Sequence, residues 1–182
     1  MKEEITNGHL ALRRYRPEFI PLLFEAACES KGGEFTRWMP WCHESYSISD
    51  SEEFVKSMQS SWENGTDFGF AIFESDAVNI VGGVGLNQFN TMHNFANLGY
   101  WVKPSKQGHG IASTAVRMLA AAAFEALTTN RIEILAAIEN AASRRAAEKA
   151  GANFEGVSRN RLLIGGRVHD AALFSLVRSD LE

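Results

Sequence analysis

The chain has 182 residues, 45% hydrophobic and 22% charged, which is ordinary for one globular domain with a sizeable core. A formal net charge of −4 argues against a nonspecific nucleic-acid binder, and the longest apolar run, residues 118–124, is too short to span a bilayer. Only Cys28 and Cys42 occur, without metal-ligand spacing, and residues 1–6 lack a signal-peptide core, so the expectation is a cytoplasmic protein with no metal, nucleic-acid or membrane partner.

Residues 10–14 read as a first strand. Residues 17–30 read as a helix, with Pro17 in its first turn and apolar side chains at Ile20, Leu23, Phe24 and Ala27. Residues 31–47 break that pattern with Gly32, Gly33 and Pro40 and carry Phe35, Trp38, Trp41 and Tyr46. Such an aromatic loop either lines a pocket or plugs the core. Ser49 to Glu52 has capping-box spacing and opens a helix through Phe54, Met58 and Trp62 that stops at Asn64 and Gly65.

Strands over 68–73, 80–86 and 95–102 follow as an antiparallel meander, turned at Ser75-Asp76 and at Met92 to Asn94. A Pro-started turn and a helix running to Leu127 come next, then a strand over 132–138 and a helix over 141–150 capped by Gly151. A hairpin of 154–163 and 168–177 around Gly165 and Gly166 ends the chain. The order β-α-α-β-β-β-α-β-α-β-β is a meander followed by crossovers. It predicts a single mixed α/β domain over residues 1–182 with some parallel pairing in its sheet.

The segment from Gly99 to Ser113 carries the most chemistry. Gly108 and Gly110 leave the backbone bare at a helix N-terminus, where orphan N–H groups and the positive end of the helix dipole can seat a phosphate or pyrophosphate. A P-loop is excluded because no Lys stands at the helix start beside Ser113. A dinucleotide fingerprint fails because Ser113 takes the place of its third glycine and Lys103 to Gln107 lengthen the turn. A flexible turn remains the plain alternative.

Gln107-Gly-His-Gly-Ile-Ala112 fits the Gln/Arg-x-x-Gly-x-Gly/Ala loop of the Gcn5-related N-acetyltransferases, the GNAT fold. Within that family the chain resembles the ribosomal-protein N-terminal acetyltransferase branch, of which RimJ and RimL are the namesakes. The marks are residues 37–41 (Arg-Trp-Met-Pro-Trp), 82–86, 98–104, 140–151, 155–156 and 166–170, in family order over nearly the whole chain.

The resemblance implies a mixed, mostly antiparallel sheet with flanking helices, splayed between strands 98–103 and 132–138, with acetyl-CoA in the gap. Its pantetheine arm would meet the backbone of Trp101 and Val102. Its pyrophosphate would sit on the loop Gln107, Gly108, His109, Gly110, Ile111 and Ala112. Val102 N–H would polarise the thioester carbonyl. Asn140 would cap its helix, touch the pantetheine or acetyl group, or do both. Ser143 would face the sulfur and protonate the departing thiolate, with modest benefit since a thiol titrates near ~8.5; a solvated first-turn serine is the alternative. Trp38 and Trp41 would border the acceptor groove or pack in the core.

Asn97 stands at an acceptor-side position where relatives often carry a glutamate base, and an amide cannot accept a proton at neutral pH. Water relayed to a backbone carbonyl or to a carboxylate such as Glu139 would replace it. An acceptor α-amine of pKa near ~8 needs that base less than a lysine near ~10.4. His109, His169 and the adjacent Cys42 and His43 suggest no metal or thiol chemistry. The expected activity is transfer of acetyl to a primary amine, foremost a protein N-terminal α-amine, by direct attack in a ternary complex. The rivals are acetylation of a polyamine or aminoglycoside, and a non-catalytic acetyl-CoA sensor. A homodimer is expected from the same resemblance.

Overall fold

Alternating and continuous apolar runs fold into eight strands in this computed structural model, which describes residues 1–75 and 77–181. The strands are β1 (Glu4–Thr6), β2 (Leu10–Arg14), β3 (Phe68–Glu74), β4 (Ile80–Asn90), β5 (Phe95–Val102), β6 (Arg131–Ala137), β7 (Asn153–Ile164) and β8 (Arg167–Leu176). The helices are α1 (Ile20–Ser30), α2 (Gly33–Trp38), α3 (Ile48–Asn64), α4 (Ile111–Ala126) and α5 (Ala141–Lys149). Asp76, in the expected turn with Ser75, lies outside the described residues.

One sheet runs in the order β1-β2-β3-β4-β5-β6-β8-β7. β3 is buried from Phe68 to Phe73, as a strand covered on both faces must be. On one face α4 packs Ala115, Val116 and Leu119 against Leu98, Ile132 and Phe174. On the other, α1 and α3 bring Leu23, Ala26 and Val55 onto Tyr15, Phe73 and Ile80.

Parallel pairing is confined to β5 and β6, joined by the α4 crossover; every other pair is antiparallel. That pair is also where the sheet opens. Its register runs Phe95↔Arg131, Ala96↔Ile132 and Asn97↔Glu133 and then stops, although β5 continues to Val102 and β6 to Ala137.

Three local expectations change. β1 is an added short strand pairing Ile5 with Leu12. The aromatic loop contains α2, entered through Gly32 and Gly33 at φ +89° and +61°. The capping box sits two residues earlier than Ser49 and Glu52. Asp50 accepts from the Ser47 N–H at 2.7 Å and the Ser47 hydroxyl at 2.6 Å, because the helix begins at Ile48. Gly65 ends α3 in the left-handed conformation, φ +69°.

Candidate active site

The opened strand sets the site. Lys103 N–H donates to Val81 O at 3.0 Å, and a Cβ on Gly82 would lie 2.3 Å from Trp101 O, so Lys103 and Trp101 turn their backbones toward β4. Strand alternation then turns the N–H and C=O groups of Tyr100 and Val102 into the gap. Trp101 therefore contributes its indole to the site, not the backbone bond expected of it. Gln107 folds back, its Nε2 donating to Val102 O at 3.0 Å, which ties the loop to the strand.

Behind that bond the chain turns through Gly108 at φ +82° and Gly110 at φ +79°, a region costly for any side chain with a Cβ. Gly110 is the N-cap of α4 and has no side chain to satisfy the first N–H groups, so those of Ile111 and Ala112 stay open to a ligand. Gly108, Gly110, Ile111 and Ala112 line a cleft of about 410 Å³, with α5 on its opposite side. Lys106, Arg145 and Lys149 also line it. Lys106 is held by Glu74 at 2.6 Å, whereas Arg145 and Lys149 have no ion pair among the described residues. His109 is exposed and outside this lining.

A second cavity, about 870 Å³, lies on the sheet face away from α4. Its floor is bare backbone, with Gly85 opposite Gly99 in register. Met58 stands over the neighbouring Gly69, and Trp101 and Tyr15 stand over Gly83. Asp50, Glu53 and Asp67 line this cavity, and no Lys or Arg does among the described residues. The charges differ: the loop side combines Lys106, Arg145, Lys149 and helix N–H groups with Glu34 and Glu139, whereas the sheet side carries carboxylates without Lys or Arg among the described residues.

The two spaces share Trp38, Met39, Tyr100, Trp101, Asn140 and Ser143. A group held from the loop side thus meets a group held from the sheet side at Tyr100, Asn140 and Ser143. The family model of the acetyltransferase (GNAT) domain matches residues 9–153. The chain belongs to this family.

As an acetyltransferase of the GNAT type, the protein has relatives along almost its full length. It is 28% identical over 182 residues to YdaF of Bacillus subtilis, a candidate ribosomal N-acetyltransferase, covering 97% of this chain and 95% of that one. A candidate ribosomal-protein-serine acetyltransferase from Vibrio cholerae superposes with TM-score 0.83 at 29% identity, covering 97% of this chain and 99% of that one. The fold is also that of RimL, an L7/L12 α-N-protein acetyltransferase solved with coenzyme A (TM-score 0.87, 22% identity, 99% and 100% covered).

In this acetyltransferase Asn140 caps α5 by accepting from Ser143 N–H at 3.0 Å, and its Nδ2 has no hydrogen bond among the described residues. Tyr100 reaches across the opened sheet to Ser143, with its Oη 2.7 Å from the serine carbonyl oxygen and 3.1 Å from Oγ. Burial pushes the Tyr100 phenol up to about 12, partly offset by the Ser143 bond. Trp41 packs edge-on against Trp101 at 5.3 Å, and Trp38 against His169 at 5.7 Å, so Trp41 walls the sheet-side cavity and Trp38 stands at the junction.

Asn97 lies outside both linings, behind Asn87. Glu139 lines the loop-side cleft, with Oε2 3.6 Å from His169 Nδ1. Cys42 is buried, donates to Ala27 O at 3.2 Å, and has its thiol pKa raised by burial, the reverse of an activated nucleophile. Sequence reasoning missed Tyr100, the Gly85–Gly99 floor and Asp67. Strand alternation hints at the direction Tyr100 takes, but only the fold reveals Ser143 as its partner.

Proposed function

We propose that the protein transfers the acetyl group of acetyl-CoA to the α-amine of a protein N-terminus. The carrying observation is the junction at Tyr100, Asn140 and Ser143, where a cleft suited to phosphates meets an acid-lined cavity. The N–H groups of Ile111 and Ala112, with Arg145 and Lys149, would hold the phosphates. Val102 N–H, turned into the gap, would bind the thioester carbonyl and stabilise the oxyanion. The amine would approach over Gly99 and attack directly, its proximity supplying much of the rate.

The N-terminal reading draws on the ribosomal names of YdaF and the Vibrio cholerae protein. The absence of a carboxylate at position 97 also favours an amine that is partly neutral near pH 7. A polyamine is the second reading, favoured by Asp50, Glu53 and Asp67 in a cavity without Lys or Arg among the described residues. The homodimer stays within the proposal. Leu163 and Val168, paired and 72% and 59% exposed on the β7–β8 hairpin, are the apolar surface it would cover, and sedimentation would test it. Among the described residues no helix is long and apolar enough to cross a membrane.

Thiol release from acetyl-CoA is the test, with three acceptor sets: peptides with free N-termini, N-blocked peptides containing lysine, and polyamines. Preferential turnover of the first set is expected. Turnover confined to polyamines or blocked peptides would overturn the N-terminal assignment.

A further inference from the structure

Tyr100 is a half-buried titratable group for which the reading above has no task. Its ring lines both spaces, and its hydroxyl spans from β5 to the first turn of α5, 2.7 Å from the Ser143 carbonyl oxygen and 3.1 Å from Ser143 Oγ. A phenol has one proton, and a carbonyl oxygen can only accept. The Tyr100 proton therefore goes to the carbonyl, and the contact with Oγ is a hydrogen bond only if Ser143 donates to Tyr100. So arranged, the serine O–H points at the phenol oxygen.

We propose that Tyr100 is a positioning residue acting through Ser143: it holds the serine O–H while the thioester is intact and, by turning its own O–H onto Ser143 Oγ, frees the serine O–H to hydrogen-bond to the sulfur as the C–S bond breaks. This rests on the acyl-transfer reading above. The amine nitrogen bonds to the carbonyl carbon, the sulfur leaves with the electron pair of the C–S bond, and the surplus amine proton passes to water. Both hydroxyls keep their protons. Full transfer is disfavoured because burial pushes Tyr100 up to about 12, whereas a thiol titrates near ~8.5 and an aliphatic hydroxyl lies higher still. The pair instead supplies an oriented donor whose bond strengthens as charge builds on sulfur, next to the positive end of α5.

Tyr100→Phe, Ser143→Ala and the double variant test this with two readouts, after thermal melts establish that each is folded. The first titrates the thiol of bound coenzyme A by its thiolate absorbance, and needs no acceptor. The second is turnover. The bound thiol is expected to titrate about one pH unit lower in the wild type than in either single variant. Each single variant should lose about tenfold in kcat with acetyl-CoA affinity held within about twofold, and the double variant should be no slower than Ser143→Ala. The same thiol titration in wild type and Tyr100→Phe, or losses that multiply in the double variant, would overturn the proposal. A wild type that binds no coenzyme A overturns the function reading as well; one that binds it with an unshifted thiol overturns only the role of Tyr100.

Discussion

Asn97 and Asn87 oppose each other on β5 and β4, and the Asn97 amide donates to Asn87 Oδ1 at 2.8 Å. The pair puts an amide–amide bond beside the glycine floor, with no carboxylate at position 97. Without a base at that position, the proposed acyl transfer draws on acceptor amine that is already neutral. On a peptide with a free N-terminus, kcat/KM should rise about tenfold per pH unit and level near pH ~8, whereas on a lysine side chain it should keep rising toward ~10. A plateau well below the acceptor's own pKa in a pH-rate profile would reveal an enzyme base and direct attention to Glu139.

Gly99 separates fold from function cleanly. A Cβ there meets nothing within 4 Å, whereas one on Gly85 would come within 3.2 Å of Gly69 Cα. Gly99→Val should therefore fold normally and place its side chain in the acceptor path. We expect KM for the acceptor to rise at least about tenfold with acetyl-CoA affinity unchanged. Unaltered acceptor kinetics would show that the acceptor does not cross this floor.

Gly110→Val should act on the other substrate. At φ +79° a β-branched residue is strained by roughly 1–2 kcal/mol, and its side chain would crowd the N–H groups that open α4. Calorimetry should show acetyl-CoA binding weakened more than about tenfold in a variant that still folds. Wild-type affinity would move the phosphates away from this loop.

Legibility followed the range of the physics involved. β5 was readable to the residue because Phe95 to Val102 is bounded by turn residues on both sides, and α5 to within one residue at its end because Asn140 caps it and Gly151 follows it at φ +86°. The capping box was misplaced because Ser47–Asp50 and Ser49–Glu52 have the same spacing two residues apart, and only the turn before Ile48 chooses between them. α2 escaped notice because six residues entered through two left-handed glycines are too few to show a helical period. At the site, the phosphate loop is local and was visible. Tyr100 and Ser143 lie 43 residues apart, and the direction of the Trp101 backbone depends on which of its neighbours bonds to β4.

Asp67 lines the sheet-side cavity, and burial raises its pKa, with a Ser61 hydrogen bond working against the rise. A raised carboxyl contributes stability that is complete below its unfolded pKa and is lost as pH rises through the folded one, so ionising Asp67 costs the fold stability. Asp67→Asn should melt at the same temperature or slightly higher at pH 7, while KM for a peptide with a basic residue near its N-terminus rises several-fold. A lower melting temperature with unchanged KM would make Asp67 purely structural.

Glu155 tests the sheet rather than the site. Arg131 Nη1 on β6 reaches over β8 to Glu155 Oε1 on β7 at 2.7 Å, and Ser175 Oγ on the intervening β8 donates to the same oxygen at 2.7 Å. The Arg131 bond first, then the Ser175 bond, holds the Glu155 carboxyl down to about 2. A depressed carboxyl stabilises fully above its unfolded pKa, near ~4.3, and loses that contribution as pH falls through the folded value. The Glu155 side chain is 37% exposed, so solvent screening limits the pair to about 1 kcal/mol or less. Glu155→Gln should lower stability modestly at pH 7, and its urea midpoint should fall less steeply than the wild type's between about pH 4.3 and the lowest accessible pH. Parallel acid limbs for the two proteins would mean that the ion pair does not hold β7 to the sheet.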